Sequence, residues 1–380
     1  LTDLYLKTAL MQAGRKDFTA DRMHAALLVL LRAGLWERQP EALSCFPLAE
    51  EDWKQLYAEA CRQTVTGITF QALKYLPDEA LPPEPLMIRW AAETDAIERR
   101  NSKMNDVLVN LYSAFAGKGL HPVLQKGQGI AMLYECPVMR ECGDIDLYFD
   151  SREAWREALS LVQSQDIRVS RQADKSIYYT YKGITVEHHT RLFDLYNPFL
   201  QRYAVSLERK NGFRCMTLPG QPETHIAVPS PLLNLLLLDL HILKHAVGRG
   251  IGLRQLCDMA RACSVLHDDT DPDEMKAISR KFGLTGWNRL LHAFLKDSLG
   301  LPAVCLPYRE TAPSGQPLAD IIWRGGNFGR YGKGYDPHLK GWRRKCRTAR
   351  SFARNIGFMA GYAPKESFWI LMQLMKGQTL

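Results

Sequence analysis

Two aspartates one residue apart, Asp144 and Asp146, stand in the segment G-D-I-D-L-Y-F-D (143–150). Read as a strand, the segment places Ile145, Leu147 and Phe149 on one face and Asp144, Asp146 and Tyr148 on the other. The two carboxylates then lie roughly 6–7 Å apart at Cα. Like charges so close repel unless something positive sits between them, and a divalent metal is the natural occupant. The competing reading is an exposed strand edge with its acids in water. Context argues against it. A short apolar strand (Val123, Leu124) leads into Lys126-Gly127-Gln128, and a helical piece with Ile130, Ala131, Leu133 and Tyr134 follows. Further on, Ile177–Tyr181 and Ile184–His189 read as two strands joined by a tight Lys182-Gly183 turn. In the second of these Thr185, Glu187 and His189 share a face. A third carboxylate thus arrives on a strand able to pair beside the aspartate strand.

Other side chains are candidates by type. Lys126 supplies charge for phosphate, and the planar fork of Arg140 suits phosphate oxygens, with pairing to Asp144 or Glu141 as the simpler alternative. His189 is placed to orient Glu187 or to touch a substrate, or is structural. His241 and His245, one helical turn apart, are candidate metal or substrate contacts. No third zinc ligand is near them, so core or cleft-lining histidines are the simpler reading. Arg254 and Asp258, at i and i+4, predict an intrahelical ion pair. The glycine-rich run 325–334 reads as a loop, either a phosphate-covering lid or ordinary surface, and lacks P-loop spacing. Seven basic residues fall between Lys340 and Arg354; that run is a solvated helix face or a polyanion-binding strip.

The elements that must hold these residues divide the chain in three. Residues 1–118 look helical. The run Ala25–Leu31 is apolar nearly all round and predicts a buried helix ending at Gly34. A second helix starts at the acidic turn Glu50-Glu51-Asp52, and a third runs from about Leu86 to Ala116. Residues 119–228 switch to mixed α/β, with Ser151 as N-cap of a helix. Residues 229–380 are helical again: Leu232–Val247, Leu253–Val265, and helices near 273–282 and 285–299.

Bulk composition bounds the class. At 380 residues, 46% hydrophobic and 24% charged, the chain is an ordinary globular protein of two or three units, neither disordered nor fibrous. Lys and Arg exceed Asp and Glu by 49 to 41, and this net +8 favours an anionic partner such as a nucleotide, RNA or a phosphorylated metabolite. Nine cysteines show no C-x-x-C pair, and reduced buried thiols are expected. The leucine-rich run 232–243 is too short to span a membrane, and no apolar signal segment of the usual form opens the sequence. A cytoplasmic location is expected.

Taken together, K-G (126–127), Tyr134, Pro137, Arg140, G-D-I-D-L (143–147) and V-E-x-H (186–189) resemble an uncharacterised bacterial nucleotidyltransferase family of the DNA polymerase beta-like superfamily. D-W (52–53), V-T-G-I (65–68), H-x-x-x-H (241–245), G-I-G-L-R-Q-L-C-D-M-A (250–260) and G-N-F-G (326–329) extend the resemblance over about residues 20–360. It implies an α+β fold, mostly helical overall, with a mixed-sheet nucleotidyltransferase core between helical regions. It also implies transfer of a nucleoside monophosphate from an NTP to an acceptor that is a small molecule, protein or RNA. Asp144 and Asp146 would be the metal pair, and Glu187 the third carboxylate, as metal ligand or general base. The cofactor would be Mg²⁺ or Mn²⁺, two-metal sites holding their ions about 3.5–4 Å apart. Lys126, Gly127, Gln128 and Arg140 would bind nucleotide, with His189 and His245 as substrate or orienting residues. The superfamily usually has Gly-Ser after the first strand; Lys126-Gly127-Gln128 stands there instead. The alternative is a degenerate nucleotide-binding or antitoxin-like regulatory module.

Overall fold

A computed structural model describes residues 21–171, 176–193, 195–248, 250–326, 357, 358 and 360–375. The basic 340–354 run and residues 327–334 of the glycine-rich segment lie outside them.

The chain forms two compact units, Leu1–Ile97 and Glu98–Leu380. The first is helical: α1 (residues 21–36), α2 (Glu50–Arg62), α3 (Thr66–Ala72) and the opening part of α4 (Glu84–Ala116). Its core is built on Trp53, Tyr57 and Trp90, whose rings meet edge to face. The Trp90 indole N–H donates to Thr66 O at 3.0 Å. The expected stop at Gly34 is corrected, because the helix continues to residue 36. A Cβ at residue 34 would stand 1.9 Å from Ile68 O. The glycine therefore permits a close helix approach rather than capping an end.

The second unit contains a seven-stranded mixed sheet in the order β3-β4-β5-β2-β1-β7-β6. Its strands are β1 (Val123–Gln125), β2 (Ile145–Tyr148), β3 (Ser170–Arg171), β4 (Ile177–Tyr181), β5 (Ile184–His189), β6 (Phe213–Leu218) and β7 (Gln221–Pro229). The β4–β5 hairpin turns at Lys182 and Gly183, both with positive φ, as a two-residue turn matched to strand twist requires. The hairpin β6–β7 was not expected. It extends the sheet past β1, with β7 running parallel to β1.

The remaining helices are α5 (Gly127–Ala131), α6 (Arg152–Gln163), α7 (Gln201–Asn211), α8 (Pro231–Gly248), α9 (Leu253–Leu266), α10 (Pro272–Phe282), α11 (Thr285–Asp297) and α12 (Gln316–Gly325). A further helix spans Pro364–Met375. Ser151 caps α6 as its sequence suggests, its Oγ accepting from Ala154 N at 3.1 Å. Among the described residues no helix is long and apolar enough to cross a membrane.

One face of the sheet carries the core. Ile145, Leu147, Phe149, Val186 and Tyr179 pack with Leu108, Leu111 and Phe115 of α4 and with Ala158 and Val162 of α6. Each large aliphatic buried there contributes about 1.5–3 kcal/mol relative to exposure. That burial offsets the cost of the carboxylates held on the opposite face of the same strands.

Candidate active site

β2 and β5 run parallel with Asp146 in register with Glu187, and Tyr148 with His189. Register partners in neighbouring strands project from the same face. The two carboxylates therefore stand side by side, with Asp144 two residues back at the mouth of β2. All three line one cavity of about 220 Å³. The sheet side of that cavity also carries Lys126, Gly127 and His189, while α8 supplies Leu238, His241, Ile242, Lys244 and His245, and α9 supplies Arg254, Gln255 and Asp258.

Lys126 reaches the carboxylates through an unusual turn. Its φ of 50° and ψ of −138° form a conformation that side chains seldom adopt, at a cost of about 1–3 kcal/mol. Gly127 follows with φ 44°, and a Cβ there would lie 3.3 Å from Asp144 O. The turn thus brings the Lys126 ammonium to 3.3 Å from Asp146 Oδ2. His189 Nε2 lies 2.8 Å from Asp146 Oδ1 and 3.6 Å from Glu187 Oε2, so it leans on Asp146 more than on the expected Glu187.

The charges push these carboxylates apart. Burial alone would raise Asp146, but the Lys126 ammonium and the His189 hydrogen bond outweigh it and hold the carboxyl well below its usual range. Asp144 is raised, first by the Asp146 charge and then by burial. Glu187 is raised to about 7, by burial first and then by Asp146 and Asp144. His188, on the opposite face, is structural. It is fully buried, bonded to Tyr179 Oη at 2.9 Å, and burial lowers it to about 3.

A ligand oxygen from each of Asp146 and Glu187 and a ring nitrogen of His189 lie within 4.8 Å of one another. Two hard carboxylates with one imidazole fit a divalent cation, Mn²⁺ as readily as Mg²⁺. Asp144 lines the same cavity but stands outside this trio.

One expected pairing is corrected, and Arg140, which lines the cavity, has a carboxylate partner. Asp258 was expected to pair with Arg254 along α9. Instead it takes Arg140, whose Nε and Nη2 donate to its two oxygens at 2.9 and 2.5 Å, and the Tyr134 hydroxyl donates at 2.8 Å. Arg140, expected as a phosphate contact, is thus committed to a buried carboxylate. Gln128 is 2% exposed on α5 and is not among the cavity-lining residues. His245 does line the cavity, its ring 4.4 Å from that of His241.

The loop carrying Asp144 is pinned from several sides. Asn101 Nδ2 donates to Val138 O and Arg140 O, Arg254 Nη1 to Glu141 O, and Arg100 Nη2 to Gly143 O. Sequence reasoning missed Arg254, Lys244 and Gln255 as cavity residues. The signal for Arg254 and Gln255 was the G-I-G-L-R-Q stretch itself, and Lys244 lies within H-x-x-x-H.

The model of a family described as uncharacterised nucleotidyltransferases matches residues 49–296, more than half of the chain. The chain belongs to that family. The match takes in every carboxylate of the cavity as well as α8 and α9. No curated protein matches the sequence. Among solved structures, an antigenic nucleotidyltransferase-like protein from Paracoccidioides brasiliensis aligns at 15% identity, over 53% of this chain and 93% of that one, with a TM-score of 0.32. A likeness that low adds nothing to the family assignment. Nucleotidyl transfer is accordingly the reaction class of this nucleotidyltransferase family member, and an NTP is the substrate class that goes with it.

Proposed function

We propose that the protein transfers a nucleoside monophosphate from an NTP to a hydroxyl or phosphate acceptor by in-line displacement in this cavity, with Mg²⁺ or Mn²⁺ held by Asp146, Glu187, His189 and Asp144. The observation that carries the reading is the Asp146–Glu187 register, with Asp144 on the same cavity wall. A bound divalent cation would neutralise charge building on the phosphoryl oxygens. The chain's own residues do the rest. Asp146, kept ionised, is a permanent anion in the wall. Glu187, raised to about 7 in the cation-free cavity, would either ligate the cation or take the proton of an acceptor hydroxyl. Lys126 holds positive charge beside them.

The acceptor is a small molecule, a protein or RNA. The described cysteines are free thiols, which suits the reducing cytoplasm. The test is incubation with each α-labelled NTP and Mg²⁺ or Mn²⁺, for the wild type and the Asp144→Ala/Asp146→Ala variant. Label transfer or pyrophosphate release is expected from the wild type, and the same rate in the double variant overturns the reading. One observation favours a second reading, nucleotide binding without turnover: both Asp146 oxygens already have partners, Lys126 and His189. Nucleotide binding with no label transfer to any acceptor class would select it.

A further inference from the structure

Among the described residues two arginines border the cavity, Arg140 with a carboxylate partner and Arg254 without one. Arg140 is paired through two nitrogens with Asp258. That pairing occupies the carboxylate one turn along α9 from Arg254. Arg254 Nη1 donates to the Glu141 carbonyl at 2.8 Å, while its Nε is buried with no hydrogen-bond partner. Among the described residues no carboxylate lies within ion-pair distance of it. Burial, and then the neighbouring Arg140 charge, both act against its guanidinium, with partial relief from Asp258, Cys142 and Glu141. A half-buried guanidinium with a buried, unpartnered Nε and no carboxylate beside it is costly to keep, and an anion in the cavity would relieve that cost.

A second atom points the same way. His241 Nδ1, on the α8 side of the same cavity, is also buried without a partner. Burial first, then Lys126 and His245, keep that ring neutral, so it offers one donor and one acceptor. Lys244 lines the cavity beside it.

The cavity's size and lining select the ligand's class. At about 220 Å³ it is smaller than the roughly 300–1,000 Å³ of pockets that enclose a drug-sized molecule. Among the described residues no Phe, Tyr or Trp lines it to stack a base. It suits a compact polyanion together with cations, and a guanidinium fork matches phosphate oxygens.

We propose that Arg254, with His241 and Lys244, forms the subsite for the triphosphate tail of the nucleotide on the helical wall of the cavity. The inference rests on the nucleotidyl-transfer reading and adds to it the residues that take the phosphates. These residues lie some hundred positions after the strand-turn in which sequence reasoning looked for them.

The test uses the full chain and a base-independent probe, inorganic triphosphate with Mg²⁺, followed by calorimetry beside ATP, GTP, CTP and UTP. Arg254→Gln is expected to weaken triphosphate and NTP binding about 10- to 100-fold, the worth of one charged hydrogen-bonding group. Arg254→Lys, which keeps charge but loses the fork, is expected between the two. Mn²⁺ binding without phosphate, read by electron paramagnetic resonance, should be unchanged in Arg254→Gln, which also shows that the site remains folded. His241→Ala supplies an independent variant, expected to weaken triphosphate severalfold. Unchanged triphosphate affinity in Arg254→Gln, or a wild type that binds an NTP but not triphosphate, overturns the subsite and leaves the nucleotidyl-transfer reading standing. A wild type that binds no NTP and transfers no label overturns both.

Discussion

The sheet wall and the helical wall of the cavity handle charge in opposite ways. On the sheet wall Asp146 and Glu187 have close counterparts: Asp146 is held by Lys126 and His189, and Glu187 has His189 3.6 Å away. On the helical wall Arg254 is half-buried with a carbonyl for company, and among the described residues its buried Nε has no hydrogen-bond partner. A wall whose charges are matched can stand ready in the absence of ligand. A wall with an unmatched charge stores a cost that only binding relieves. The difference assigns cation holding to the strands and anion recognition to α8 and α9.

The largest effect expected from breaking this division falls on turnover. Asp146→Asn should abolish Mn²⁺ binding and slow label transfer at least ~10³-fold, since a cation supplies several kcal/mol of charge stabilisation. Arg254→Gln should keep Mn²⁺ binding. Loss of Mn²⁺ from both variants would mean that the walls do not act separately.

Next comes folding stability, in which the two arginines should part company. Asp258→Ala strands Arg140 as an uncompensated buried charge and should cost about 3–5 kcal/mol in urea denaturation. Arg254→Gln removes a charge that has no carboxylate partner, so the ligand-free protein should be at least as stable as wild type. Equal destabilisation by the two variants would remove the contrast on which the anion subsite stands.

The third effect concerns the back of α8. Asp239 is buried, accepts the Trp287 indole N–H at 2.6 Å, and is raised to about 7 by burial, against hydrogen bonds from Trp287 and Asn288. Unfolded, the group loses its proton near 4. Between pH 4 and 7 the folded chain therefore binds more protons than the unfolded one, and stability falls as pH rises through that window, by roughly a few kcal/mol in all. Above 7 the loss is complete. Asp239→Asn should flatten this slope in thermal melts taken from pH 4 to 8. A slope that survives the substitution assigns the pH dependence to other groups, the cavity carboxylates first.

The contrast between the walls also decides what a reader of the sequence sees. The sheet wall is legible because period-two alternation in I-D-L-Y and I-T-V-E-H-H fixes which side chains share a face. The Lys182-Gly183 turn then sets the register of β5 against β4. The helical wall is not legible, because spacing along one helix says nothing about a competitor arriving from elsewhere in the chain. Arg254 and Asp258 have ideal i, i+4 spacing, yet Arg140 reaches Asp258 from the loop before β2 and wins with a two-nitrogen fork. The β6–β7 hairpin escaped for another reason. Its strands, R-C-M-T-L and Q-P-E-T-H-I-A-V, are half polar and carry a proline, so their pairing depends on β1 being there to receive β7. Gly34 misled because a helix-ending glycine and a glycine under a crossing backbone look alike until the crossing is seen.

The smallest effect sits at Lys126, among the described residues the one lysine or arginine on the strand side facing Asp146. Its backbone occupies a region natural to glycine, so Lys126→Gly removes the side chain and relieves the strained turn at once. Losing the contact with Asp146 and relieving about 1–3 kcal/mol of strain act in opposite directions, and the net change in stability should be within about 1 kcal/mol. Ligand binding separates the two roles that the residue could play. If the ammonium holds the place of a cation at Asp146 Oδ2, its removal lets Mn²⁺ bind severalfold more tightly. If it also steadies phosphates once a cation is bound, triphosphate affinity falls in the same variant, by less than in Arg254→Gln. Tighter Mn²⁺ with weaker triphosphate is the expected result. Weaker Mn²⁺ would show that Lys126 organises the carboxylates rather than competing for them, and the matched charges of the sheet wall would then be part of the cation site itself.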